Sequence, residues 1–485
     1  MLFHEKNKNL EDNFDKYQVL CGIEEEFLLI DNDGTLIEAA DQIMKTAANI
    51  IDNNPDLLDA LRVKIRSLDA EPNPAQIEYV TLPIELEQVE SAVRAGRQLL
   101  IDAAKELGVK LFAQSLHPIQ SDPHPIVGTH LNVSVQKPGS LMKSEHLKAV
   151  NNYLWNYLPE IIGTTANSPI YQGKENNVAS NRCSNSTVLK SNGFAQIQVP
   201  EDKPALIPMR YYGRMRYQLK IGRGEDEFSK KVIANERGER LVDITPRGPF
   251  TNIDDDKDEA PSRNRVEIRV IDVQQEIQDL LDMAYLCCAS ALHAIYLDKT
   301  GEIKPDPYHK ENMENAIANG HTARFRTDTR NEVPLEESLR SWLNDISKYE
   351  EYLGVNIKNL PEDKLQRPPV QKQLEVDYKT RKIEKIRQQG NEYAIAVLNS
   401  NRIVTDDRGE KYKVAADRKI QGKLSTQYKF NYEEKDGIVQ SFNEITVINI
   451  LEVQGLSIPL EPGDKILRVR TRSEDIIDRL LGGFF

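Results

Sequence analysis

The sequence predicts an α+β fold, with a large domain of mixed strands and helices followed by a small β-rich one. Three observations predict it. Four well-separated strand-like segments each alternate polar and apolar residues with a period of two. Between them lie stretches whose apolar residues recur at helical spacing. The last hundred residues then change character, becoming short β-type runs divided by turn residues.

In chain order, residues 1–17 are polar and acidic and are expected to form a solvated leader, without the apolar core of a signal peptide. "GIEEEFLLIDNDG" predicts a strand and a turn. "LEQVESAVRAGRQLLIDAAKELG" (86–108) predicts a helix stopped by glycine, with "VKLFAQS" after it as a strand. "GTHLNVSVQ" reads as an alternating strand. "EHLKAVNNYLWNYLPEIIGTTA" reads as one helix, broken by "NSPIYQG". A long polar stretch reaches to about residue 240, and "NRVEIRVID" then feeds a long apolar helix. Further helices are expected over 335–385, including "YKTRKIEKIRQQG". The large domain is placed at 18–380 and the β-rich one at 385–485, with "SEDIIDRLL" as a closing helix.

Composition narrows the function. The chain has 485 residues, 39% hydrophobic and 29% charged, and a formal charge of −13, which argues against a nucleic-acid-binding surface. No apolar stretch is expected to approach the roughly 20 residues that cross a bilayer. Four cysteines (Cys21, Cys183, Cys287 and Cys288) make neither a disulfide framework nor a zinc site, and buried free thiols in a cytoplasmic protein are the expectation.

The chemistry lies on the four strands. Residues i and i+2 of a strand share a face. Glu24 and Glu26 therefore share one, with Glu25 opposite, beside Ile23 and Phe27. In "AQIEYVTLP", Gln76 and Glu78 share a face. In "GTHLNVSV" the polar set is His130, Asn132 and Ser134, and in "NRVEIRVID" it is Glu267 and Arg269. A solvated sheet face would mix Lys, Thr, Ser and Glu, whereas these strands supply carboxylates, a His, an Asn and one Arg. A lined cavity is the better reading. Clustered carboxylates raise one another's pKa unless a cation intervenes. Oxygen-rich ligation with one imidazole suits Mg²⁺ or Mn²⁺, commonly employed to grip nucleotide phosphates.

Taken together, "GIEEEF" (22–27), "QIEYVTLP" with its inserted Leu82, "GTHLNV" (128–133), "ANSPIYQG" and "EIRVID" (267–272) resemble, in order and spacing, the type 2 glutamate–cysteine ligases, or carboxylate–amine ligases, over about residues 18–300. The resemblance implies the antiparallel-sheet cradle of glutamine synthetase. It implies that Glu24, Glu26, Glu78 and Glu267 are metal ligands of a Mg–ATP site, with His130 a further ligand or phosphate contact. Arg269 would contact the transferred phosphate and, with Glu24 and Glu267, carry the catalysis. Asn132 falls where relatives have His or Asn beside the nucleotide. Arg182 and Arg247 fall near substrate-side arginines. The implied reaction joins a carboxylate, glutamate first, to an amine, cysteine first, through an acyl phosphate. A ligase or amide hydrolase acting on a protein, as in the ligases of small ubiquitin-like proteins, is one alternative. A non-catalytic nucleotide-binding scaffold is another. A homo-oligomer, and a protein partner held by the C-terminal domain, stay open.

Overall fold

Residues Gln18–Ile30 run as one strand, β1, paired along both edges. The coordinates are a computed structural model that describes residues 17–71, 73–119, 126–171, 174–175, 177–185, 215–221, 228–232, 244–247, 264–354, 392–406, 408–453, 456–461 and 463–471. The helices expected over 355–385 and at 473–481, and most of the polar stretch 174–262, lie outside the described residues.

The chain divides into two compact units, one of Met1–Asn32, Leu36–Val376 and Glu433–Ser441, the other of Asp33–Thr35, Asp377–Tyr432 and Phe442–Phe485. In the first, β2 (Ile65–Ala70), β3 (Gln76–Thr81), β4 (Lys110–Phe112) and β5 (Thr129–Gln136) follow β1. A small hairpin, β6 (Ile170–Tyr171) and β7 (Lys174–Glu175), comes next, then β8 (Met215–Lys220), β9 (Phe228–Val232), β10 (Ile244–Arg247) and β11 (Arg265–Ile271). The sheet order is β9-β8-β2-β3-β1-β5-β11-β10, antiparallel throughout, with β4 beside the C-terminal end of β1. A second hairpin pairs β12 (Arg324–Arg326) with β13 (Glu332–Pro334).

The alternation read from the sequence sorts the two faces of this sheet. Val19, Cys21 and Ile23 of β1, Leu131, Val133 and Val135 of β5, and Val266, Ile268 and Val270 of β11 pack into one core with the helices Leu86–Glu106, Ser144–Asn156, Leu158–Thr165 and Ile277–Thr300. The opposite face of the same strands carries the acids. The single helix expected over 145–166 is two helices, because Pro159 stands at the start of the second and cannot continue the first. Helix Ile277–Thr300 is long and apolar enough to cross a membrane, which corrects the expectation that no stretch approaches that length. Its apolar window, however, is 83% buried inside the protein.

The second unit is β-rich. β14 (Glu392–Val397) runs between β17 (Lys419–Lys435) and β20 (Lys465–Thr471), β15 (Arg402–Thr405) pairs with β16 (Lys411–Val414), and β18 (Ile438–Val453) with β19 (Leu456–Leu460). Ala394, Ala396, Leu398, Leu424, Leu451 and Ile458 form its core. The stretch Glu433–Ser441, which the sequence reading assigns to the C-terminal domain, belongs to the first unit, where Ile438 and Val439 pair in parallel with Leu111 and Phe112 of β4.

Candidate active site

Strand register brings the polar faces of β1, β3, β5 and β11 together. Glu26 lies opposite Glu78, Glu24 opposite His130, and Glu267 opposite Asn132. His130 Nδ1 stands 3.2 Å from Glu24 Oε2 and 3.8 Å from Glu267 Oε1, while its Nε2 is 3.8 Å from Glu26 Oε1. One ligand atom each of Glu24, Glu78 and His130 falls within 4.8 Å of the others, and Glu26, Glu71 and Glu78 form a second such trio. Glu78 belongs to both.

β11 changes register between Ile268 and Ile271, spending one residue more than β5 does. Such bulges re-aim side chains and recur beside active sites. Here it falls at Arg269, whose Nη1 pairs with Glu267 Oε1. Burial pulls the Arg269 guanidinium toward losing its proton, but Glu267, Glu24 and Glu26 outweigh that and keep it charged.

Among the described residues the site gathers more carboxylates than cations. Burial, then Glu71, Glu24, Glu26 and Asp69, push the Glu78 carboxyl well above the ordinary range. At Glu24, burial and Glu267 push upward, but the hydrogen bond and charge of His130, together with Arg265, leave the carboxyl below its ordinary value. An oxygen-rich donor set with one imidazole and this charge excess fits hard divalent cations.

The surrounding frame holds these groups rigidly. Glu26 Oε2 accepts the Gly128 N–H at 2.6 Å, and its own N–H donates to the Gly128 carbonyl at 3.1 Å. A Cβ at Gly128 would lie 2.1 Å from Arg182 Nη2, so any larger residue there requires Arg182 to shift. Asp272, the last residue of "EIRVID", is a clasp. It accepts from the Asn167 N–H at 2.7 Å, Ser168 Oγ at 2.8 Å and Ser180 Oγ at 3.1 Å, and so ties the "ANSP" turn to the end of β11. Burial raises its pKa, against the opposing charge of Arg182 and these donors.

The structure thus brings Glu24, Glu26, Glu78, His130, Asn132, Glu267 and Arg269 together. Arg182 is 1% exposed and donates Nη2 to the Arg269 carbonyl at 3.0 Å, with its Nη1 3.9 Å from Asp272. Arg247 ends β10 in register with Arg265. Sequence reasoning missed Glu71 and Arg265. Both carried a signal: "DAE" at 69–71 repeats the acid pair at i, i+2 seen at Glu24 and Glu26, and Arg265 is two residues before Glu267 on the same strand face.

Two curated relatives share part of the chain. One, provisionally named glutamate–cysteine ligase 2-1, from Paenarthrobacter aurescens, is 26% identical over 33% of this chain and 45% of its own length. A second, glutamate–cysteine ligase 2-2 from Saccharopolyspora erythraea, also provisionally named, is 29% identical over 33% and 44%. The chain spans less than half the length of either. Among solved structures, glutamate–cysteine ligase of Francisella tularensis in complex with AMP is similar at 16% identity and TM-score 0.45, covering 74% of this chain and 84% of that one. The ligase PafA in complex with the prokaryotic ubiquitin-like protein Pup is similar at 14% identity and TM-score 0.41, covering 73% and 64%. Residues 20–375 match the family description of glutamate-cysteine ligase family 2, and across that span the chain belongs to this family.

Proposed function

We propose that the protein is an ATP-dependent carboxylate–amine ligase, with glutamate as the carboxylate donor and cysteine as the first choice of amine. One observation carries the reading more than any other: Glu24, Glu26, Glu78, Glu267 and His130, from four strands of one sheet, converge beside a charged Arg269. A scaffold protein has no need of such a charge excess. Glu24, Glu78 and His130 would hold one divalent cation, and Glu26, Glu71 and Glu78 a second.

A magnesium ion held by these residues would supply positive charge against the charge that builds on the phosphoryl oxygens during transfer. The chain's own residues do the rest. The sheet fixes the carboxylates in position, which is most of what phosphoryl transfer asks of a protein. Arg269, held at a bulge with its carbonyl bound by Arg182, supplies a positive charge beside the cluster and would contact the transferred phosphoryl group. The substrate carboxylate attacks the γ-phosphorus and ADP leaves; the amine then displaces phosphate from the acyl phosphate and forms the amide.

The test is ADP release by purified protein given Mg–ATP, glutamate and a panel of amines. Turnover with cysteine supports the reading as stated. Turnover with another amine only keeps the ligase and changes the acceptor. Absence of ATP turnover with every carboxylate and amine pair overturns it.

A further inference from the structure

Asn132 sits between two charged groups, and its amide has a defined orientation. Its Nδ2 donates to Glu24 Oε1 at 3.1 Å, and its Oδ1 accepts from Arg265 Nε at 2.7 Å. A guanidinium only donates and an ionised carboxylate only accepts, so the two neighbours agree on which end of the amide is oxygen. Turning the amide over would place oxygen against carboxylate and NH₂ against guanidinium, losing both bonds. Glu24's other oxygen already faces His130.

The backbone leading into Arg265 is anchored. The residue before it, Asn264, is buried, donates Nδ2 to the Met142 carbonyl at 2.8 Å and accepts Ser134 Oγ on its carbonyl at 3.0 Å. Arg265 then falls on the face of β11 that carries Glu267 and Arg269. The hydrogen bonds from Arg265 through Asn132 therefore end on a single carboxylate oxygen.

We infer that Arg265 is a positioning residue for the cation site: by holding the Asn132 oxygen it presents the Asn132 amide as a donor to Glu24 and fixes that carboxylate's orientation. Asn132 thereby serves the site as a donor to a ligand and offers no oxygen of its own toward Glu24. The inference rests on the reading that these carboxylates hold divalent cations. Groups that orient metal ligands in this way are typically worth about 10- to 100-fold in affinity.

The single and double variants together separate positioning from the effect of a bystander charge. Removing a cation near a cation site strengthens metal binding by Coulomb's law alone. Positioning predicts the opposite. Mn²⁺ binding to the nucleotide-free full chain, followed by electron paramagnetic resonance, should weaken roughly 10-fold in Arg265→Met, and Arg265→Lys, which keeps the charge without the planar fork, should fall between. Because Arg265 acts through Asn132, Arg265→Met should add less than about two-fold in an Asn132→Ala background. Unchanged or tighter Mn²⁺ binding in Arg265→Met, with the wild type binding normally, overturns the inference alone. A full Arg265→Met effect in the Asn132→Ala background also overturns it. Absence of Mn²⁺ binding in the wild type overturns both this inference and the cation reading beneath it.

Discussion

Glu24, Glu25 and Glu26 are identical side chains at consecutive positions, and β1 sends them into two different environments. Behind the sheet, Glu25 is 0% exposed and fully answered: Arg97 donates to it from Nη2 at 2.5 Å and Nε at 2.9 Å, and Tyr79 OH donates at 2.7 Å. Burial and the charge of Glu25 hold the Tyr79 hydroxyl far above its ordinary pKa, so it stays protonated and keeps donating. Arg97 also binds the carbonyls of Gln274 at 2.8 Å and Gln275 at 2.9 Å, which fastens the loop after β11 to the helix Leu86–Glu106. On the front face, Glu24, Glu26, Glu71 and Glu78 crowd together, and Arg269 is already paired with Glu267. A buried carboxylate with a complete donor set is scaffold. A buried group of carboxylates that outnumbers the cations beside it among the described residues is what the proposed cation site requires.

The largest expected effect breaks the front face alone. Glu24→Ala or Glu267→Ala should lower ATP turnover by a factor on the order of 10³, about 4 kcal/mol of transition-state stabilisation, with a smaller loss of thermal stability than on the back face, since Glu24 gives up its hydrogen bonds to His130 and Asn132 and Glu267 its pairing with Arg269. Phosphate release and thermal melting, measured together, check this. Full activity in either variant would remove that residue from the site. Breaking the back face should do the reverse. Arg97→Met leaves Glu25 buried without its cation, at a cost of about 3–5 kcal/mol in stability. Replacing both partners, Glu25→Leu with Arg97→Met, should recover more than half of that loss, short of all of it because two backbone carbonyls lose their donor. A double variant as unstable as the single one would show that Glu25 and Arg97 do not form a self-contained pair.

How much of this was legible in the sequence differs between the two faces, for a physical reason. Alternation with a period of two is a local property, so the polar faces of β1, β3, β5 and β11 and the acids on them could be read directly. So could the α+β fold class. The partner of Glu25 could not. Arg97 is 72 positions away in a helix whose other buried residues give only an apolar period, and it reaches Glu25 because Gly96 leaves room for Tyr79, whose ring a Cβ at Gly96 would meet at 2.4 Å. The burial of Arg182 was illegible for a related reason. Its motif suggests a role facing substrate, while its burial beneath Gly128 depends on the tertiary meeting of the "ANSP" turn with β11.

Gly128 couples the frame to the front face, and enlarging it sharpens the comparison at smaller scale. In Gly128→Ala the new methyl meets a guanidinium already bound to the Arg269 carbonyl, so Arg182 cannot swing away without releasing β11. A stability loss of about 1–3 kcal/mol is expected, typical of overpacking. A drop in ATP turnover should accompany it, because the Gly128 N–H orients Glu26. Loss of stability with unchanged turnover would separate Gly128 from the site.

Glu160 shows what a buried carboxyl does when neither a cation nor a cluster answers it. It is 7% exposed and accepts Ser338 Oγ at 2.6 Å through one oxygen, while the other has no hydrogen-bond partner among the described residues. Burial pushes its pKa up to about 7. The folded state therefore holds the proton more tightly than the unfolded chain does. Below pH ~4.5 both states are protonated and Glu160 contributes nothing. As pH rises toward 7 the unfolded chain loses its proton first, so stability falls, and above pH 7 the full penalty applies, on the order of 3 kcal/mol. Glu160→Gln mimics the protonated acid and removes that dependence. Its melting temperature should match the wild type's near pH 4.5 and exceed it by a few degrees at pH 8. A difference independent of pH would mean that Glu160 titrates alike in the folded and unfolded chain, and that burial without a cation does not, at this position, raise a carboxyl's pKa.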